Sequence, residues 1–208
     1  MSDFAGHDPS DRSPGPGDQD RLHRLDLGLA EFGRRVHQIG DEDWDRPTPD
    51  ADWTVRDLVA HLIDEHRWAP PLMAGHDLDA AALIVHGQRG TDRPGDDWDD
   101  VALLSRRAFG EPGALDRDVS LSGGPTSARH YLAEMTMELA VHSWDLGTAL
   151  GEDVELPADL VRGADDHVGQ LGDLSASPMF DPPVEVGPDA SPTDRLVART
   201  GRRPEWTA

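Results

Sequence analysis

Leu22, Leu25, Leu29, Phe32, Val36 and Ile39 recur at alternating steps of three and four residues. That spacing predicts an amphipathic helix from Arg21 to about Gly40, one face turned to a core. A polar loop with Pro47 and Pro49 follows, and Thr54 with Asp57 three positions on has the form of a capping box. A second helix is therefore expected to about Met73, its inward face reading Leu58, His61, Glu65, Trp68 and Leu72. The stretch from Gly75 to Asp96 is ambiguous, with a short helix over Leu78 to Val85 as one option. Trp98, Val101, Leu104 and Ala108 predict a third long helix, broken at Pro112 and Gly113. Ser120 to Ser127 contains Gly-Gly-Pro and turns into a fourth, and a weaker helix follows Pro157. Alternating β-branched runs are scarce, so strands are at best minor. The expected fold is all-α, an antiparallel four-helix bundle with extra short helices and irregular tails. Residues 1–20, rich in Asp, Ser, Pro and Gly, read as a disordered lead, 21–174 as the bundle, and 175–208 as an irregular C-terminal extension packed on it.

The fourth helix breaks its own pattern. Met135, Glu138, His142, Asp145 or Leu146, and Ala149 share one face, so Glu138 and His142 interrupt a stripe that should be apolar. An ionised carboxylate buried without a partner is costly, and a metal ion offsets that cost. A Glu and a His one turn apart reach a common ion while another helix supplies a third ligand, for which the candidate is His61. The chain has no cysteine, so a site must use nitrogen and oxygen ligands, and a thiol in the chemistry must come from a cofactor. Every basic residue is Arg, which excludes a Schiff-base lysine and a phosphate-loop lysine. A formal charge of -22 repels nucleic acid and anionic lipid, so neither is an expected partner. With no apolar run of membrane-spanning length and no signal peptide at the N-terminus, a cytoplasmic protein is expected.

Two motifs carry a family likeness. Trp-Asp-Arg-Pro-Thr-Pro-Asp-Ala-Asp-Trp-Thr-Val-Arg-Asp-Leu-Val-Ala-His-Leu, from Trp44, resembles the opening motif of the DinB-like, mycothiol-dependent maleylpyruvate isomerase N-terminal domain family. Glu-Leu-Ala-Val-His-Ser-Trp-Asp-Leu-Gly-Thr-Ala-Leu-Gly, from Glu138, resembles its second. Phe180-Asp-Pro-Pro-Val-Glu-Val and Asp194-Arg-Leu-Val-Ala-Arg-Thr-Gly-Arg-Arg-Pro further resemble a poorly characterised actinobacterial branch. The resemblance implies a four-helix bundle holding one divalent metal, usually zinc, through two His and one Glu, with an open position for thiolate or water. Motif by motif these fall on His61, Glu138 and His142. In the isomerase the metal activates the thiol of mycothiol, which adds to an unsaturated acid and leaves after bond rotation. That enzyme carries a further C-terminal domain, for which no room is expected here.

Other residues keep two readings. Glu65, one turn beyond His61, is a fourth ligand, a general acid or base, or a solvated carboxylate. Asp145 either orients the His142 imidazole or caps and pairs with an Arg. Trp53 and Trp144 read as core filling, and Trp68 as pocket or core. The Gly123-Gly124-Pro125 turn reads as a plain turn rather than an anion site. His7, His23, His37, His66, His76, His86, His130 and His167 show no other ligand spacing, and most are expected at the surface. The leading expectation is a metal-dependent enzyme in which a mycothiol-like thiol is activated for S-transfer to, or isomerisation of, an electrophilic small molecule. The alternatives are metal-activated water for hydrolysis or lyase chemistry, and a non-catalytic metal-containing binding bundle. Zinc is the expected ion, although this donor set also accepts Ni, Fe, Mn or Co. Apolar residues in the tail suggest a homodimer.

Overall fold

The computed structural model describes residues 14–50, 52–88, 90–172, 174 and 180–207. Seven α-helices are found among them: α1 (Pro16–Val36), α2 (Val55–Met73), α3 (Leu78–Gly87), α4 (Pro94–Gly110), α5 (Ala128–Ala149), α6 (Ala158–Leu171) and α7 (Pro192–Arg199). A 3-10 turn at Ala114–Asp116 leads into a hairpin of β1 (Asp118–Leu121) and β2 (Gly124–Ser127), with Val119 opposite Thr126. The long helices α1, α2, α4 and α5 make the bundle: α1 packs on α5 and α4, and α2 on α4 and α5. The four-helix core expected from the sequence is present.

Local chemistry sets the helix ends. Thr54 accepts from Asp57 N while the Asp57 carboxylate accepts from Thr54 N, so the capping box opens α2 as expected. Ser127 accepts from His130 N at the start of α5. The expected start of the first helix at Arg21 moves back to Pro16. Proline suits the first turn, and Asp18 in that turn accepts from Arg129 of α5 at 2.9 and 2.8 Å. Most of the expected lead lies outside the described residues.

The buried stripes differ from expectation in two helices. In α4 they are Trp98, Val101, Ser105 and Phe109, while Leu104 is half exposed beside Leu103. In α2 the core side is Leu58, Leu62, His66 and Ala69, whereas His61, Glu65 and Trp68 form the adjoining face, half-buried along a cavity.

Helix α5 is buried nearly all round, because two cores meet on it. Tyr131, Leu132, Met135, Leu139 and Leu146 join the bundle core, while Met137, Ala140, Val141 and Trp144 pack with α6 and α7. A helix enclosed on both sides has no broad polar face, so its sequence lacks the contrast that α1 shows. The close approach of α1 to α5 depends on Gly28, where a Cβ would fall 2.8 Å from that of Leu139. The C-terminal extension is not irregular throughout. Ser191 and Asp194 form a second capping box, and Leu196 and Val197 of α7 bury themselves against α6. Among the described residues, Leu196 and Val197 of the tail are covered, and the exposed large apolar side chains are Leu83, Ile84, Leu103, Leu104 and Leu171. No described helix is long and apolar enough to cross a membrane.

Candidate metal centre

Helices α2 and α5 bring His61, Glu138 and His142 together, with one ligand-type atom from each lying within 4.8 Å of the other two. His142 Nε2 is 3.0 Å from Glu138 Oε2, and His61 Nε2 is 3.7 Å from the same oxygen. The side chains of His61 and Glu138 remain 29% and 19% exposed, so the cluster is open to solvent on one side. They line a cavity of about 660 Å³, whose wall also includes Glu65, Trp68, Tyr131, Glu134 and Leu121 of the hairpin.

His142 is oriented from behind. Its Nδ1–H donates to Asp145 Oδ2 at 2.9 Å, which directs Nε2 toward Glu138 and His61. Asp145 is fully buried, and Arg202 donates to both of its oxygens, at 3.1 and 3.3 Å. Arg202 also donates to Asp50 Oδ2 at 2.7 Å and to the Thr200 carbonyl at 3.0 Å. The loop before α2 holds Asp50 in place: Thr48 Oγ1 donates to the Asp50 carbonyl, and Trp53 N donates to the same oxygen. Trp53 is not simple core filling. Its ring lies 4.7 Å from that of His61 and stacks on that of His142 at 5.9 Å. Trp144 is buried in the second core, as the sequence suggests.

These contacts set the protonation states. Burial opposes charge on His142, but its bonds to Asp145 and Glu138 prevail and raise its pKa to about 9. Burial likewise pushes Glu138 up, yet the imidazoles of His142 and His61 hold it well below the usual carboxylate range. Asp145 is lowered against its burial by Arg202 and His142. Glu65 is raised, first by burial and then by the negative charge of Glu138, Asp64 and Glu134, against the lowering effect of His61.

Two imidazole nitrogens and a carboxylate suit zinc or another divalent first-row ion, and the residues present fit such a group. Asp50, His142 and Asp145 also have ligand atoms within 4.8 Å of one another. There the Arg202 guanidinium already supplies the positive charge, so that cluster positions His142 instead of offering free donors. Asp50 and Arg202 were not singled out by sequence reasoning. They stand 152 positions apart, and the only signal was that each lies within a family-like motif. Of the histidines without ligand spacing, two are buried: His66, bonded to Ser105 Oγ at 2.9 Å, and His167, whose ring nitrogens have no partner among the described residues. Ser122 and Gly123 make the hairpin turn, and Gly124 opens β2 opposite Leu121.

A bundle with an open His, His, Glu cluster between its second and last long helices defines the class. The family model "Mycothiol maleylpyruvate isomerase N-terminal domain" matches residues 25–147, more than half of the chain, and the chain belongs to that family. Two uncharacterised proteins of Mycobacterium tuberculosis, MT0763 of strain CDC 1551 and Rv0738 of strain H37Rv, are each 26% identical to it over 191 residues, covering 81% of this chain and 87% of theirs. The crystal structure of the mycothiol-dependent maleylpyruvate isomerase superposes with a TM-score of 0.57 at 18% identity, over 73% of this chain and 69% of that one. A point mutant of that isomerase gives the same score at 17% identity. These structural matches show a shared fold.

Proposed function

We propose that the protein is a metal-dependent enzyme that activates a low-molecular-weight thiol of the mycothiol type for S-transfer to, or isomerisation of, an electrophilic small molecule. The observation that carries this reading is the convergence of His61, Glu138 and His142 on a solvent-open cavity large enough for a small molecule. A divalent ion held by these three residues would lower the pKa of a thiol or water in its open position toward neutrality. The chain's own residues do the rest. Asp145 fixes the His142 tautomer, and Arg202, itself held by Asp50, keeps Asp145 ionised in a buried place. Trp53 covers the imidazole rings and limits water on that side. The chain has neither cysteine nor lysine, so a nucleophile brought by a co-substrate suits it. Membership of the family and the shared fold with the isomerase support the same reading.

A second reading has its own observation. Glu65 lines the cavity with a raised pKa, which suits a carboxyl that carries a proton for metal-activated water. Calorimetric titration of the zinc-loaded chain with mycothiol separates the two. Saturable binding that disappears in Glu138→Ala supports thiol activation. A metal-loaded chain that takes up no thiol contradicts it and favours hydrolytic or lyase chemistry.

A further inference from the structure

One end of the cavity lies beyond the metal cluster and has a composition of its own. Glu134 precedes Glu138 by one turn of α5 and Glu65 follows His61 by one turn of α2, so both sit along the cavity roughly 6 Å from the ligand level. Each is half-buried, and each feels the negative charge of Glu138. Among the described residues neither carboxylate has a hydrogen-bond or ion-pair partner. Arg202, the only guanidinium among the described lining residues, is committed to Asp145 and Asp50. An independent observation falls in the same place. Tyr131, one turn before Glu134 and 4% exposed, lines the cavity, and its buried hydroxyl has no partner among the described residues. A buried hydroxyl and two carboxylates, none with a direct hydrogen-bond or ion-pair partner among the described residues, form a polar set that costs free energy until a ligand pairs with it. Trp68 and Leu72 supply apolar wall beside it.

We infer that this end of the cavity is a subsite for a protonated amine, with Glu65 and Glu134 as counter-charges, Tyr131 as a hydrogen-bond partner, and Trp68 beside the ligand's apolar body. The ammonium brings the positive charge and N–H donors that both carboxylates lack, and a tryptophan face favours a cation over a neutral group. A carboxylate-bearing ligand would meet two like charges there. The inference deepens the proposed function by naming the substrate class as a cationic, partly apolar small molecule.

The test uses three probes of one shape on the zinc-loaded chain at neutral pH: 2-phenylethylammonium, 2-phenylethanol and phenylacetate, titrated by calorimetry. The ammonium is expected to bind roughly tenfold tighter than the alcohol, with phenylacetate weakest, and Glu65→Gln with Glu134→Gln is expected to erase that difference. Tyr131→Phe is expected to weaken the ammonium several-fold while leaving metal content unchanged. Equal affinities, preference for phenylacetate, no binding of any probe, or a preference that survives in the double variant overturns the subsite. The two readings fail separately. A chain that binds mycothiol yet prefers phenylacetate sinks the subsite alone, whereas one that takes no thiol but keeps the ammonium preference sinks thiol activation alone.

Discussion

His142 and His66 are both enclosed by the bundle, 5% and 0% exposed, yet their surroundings drive them in opposite directions. His142, on the cavity side of α5, lies between Glu138 and Asp145, and its pKa rises to about 9. His66 sits in the seam between α2 and α4, bonded only to Ser105 and edge-on to Trp98 at 5.3 Å. Burial there lowers its pKa to about 3. Burial alone therefore does not decide what an imidazole does. The acceptors around it make one ring a cation or metal ligand and the other a neutral piece of core.

The comparison is broken most severely at Asp145. Asp145→Ala leaves the Arg202 guanidinium buried with one partly exposed carboxylate, Asp50, as its counter-charge. We expect a loss of about 3–5 kcal/mol in unfolding free energy and metal affinity weakened by about 10–100-fold. Denaturant melts and zinc titration of the same variant read both effects. A variant with wild-type metal affinity would remove Asp145 from the account. His66→Ala is expected to cost about 2–4 kcal/mol through its cavity and the stranded Ser105, with metal content unchanged. Loss of metal in that variant would erase the distinction between the two histidines.

Much of this contrast was legible in the sequence, and the remainder was not, for identifiable reasons. The stripe of α1 and the capping box of α2 are local patterns, and both elements formed where local rules place them, apart from the shift of α1 to Pro16. Glu138 and His142 drew notice because they interrupt an apolar helix, and His61 because it shared their kind of face. The two faces of α2 were harder to separate. The spacing predicts His61, Glu65 and Trp68 on the inward face, but their neighbours Leu62, His66 and Ala69 face the core, since α4 covers that side. His66 has no ligand spacing in the sequence, and only the tertiary seam shows it buried. Arg202 and Asp50 meet through packing of α7 and the loop before α2, which no local spacing encodes. Tyr131 and Glu134 lie seven and four positions before Glu138, a helical spacing that the sequence displays but that carries no ligand signature of its own.

A smaller effect sharpens the same contrast through pH, in the metal-free chain. The folded pKa of His142 is raised above its ordinary 6.5, so its contribution to stability is complete below about 6.5 and is lost as pH rises toward about 9. That of His66 is depressed, so its contribution is complete above about 6.5 and is lost as pH falls toward about 3. Each limb has a slope of at most about 1.4 kcal/mol per pH unit. Relative to wild type, His66→Asn should flatten the acid limb alone and His142→Asn the alkaline limb alone, read from denaturant melts across the range. Identical profiles for both variants would mean that the two sites do not differ as described.

The most direct measurement is metal content per chain by elemental analysis of the purified protein, taken beside His142→Ala after equilibration with zinc and gel filtration. The account predicts one ion per wild-type chain and none retained by the variant. Equal zinc in both proteins, or none in either, would contradict a metal centre on His61, Glu138 and His142.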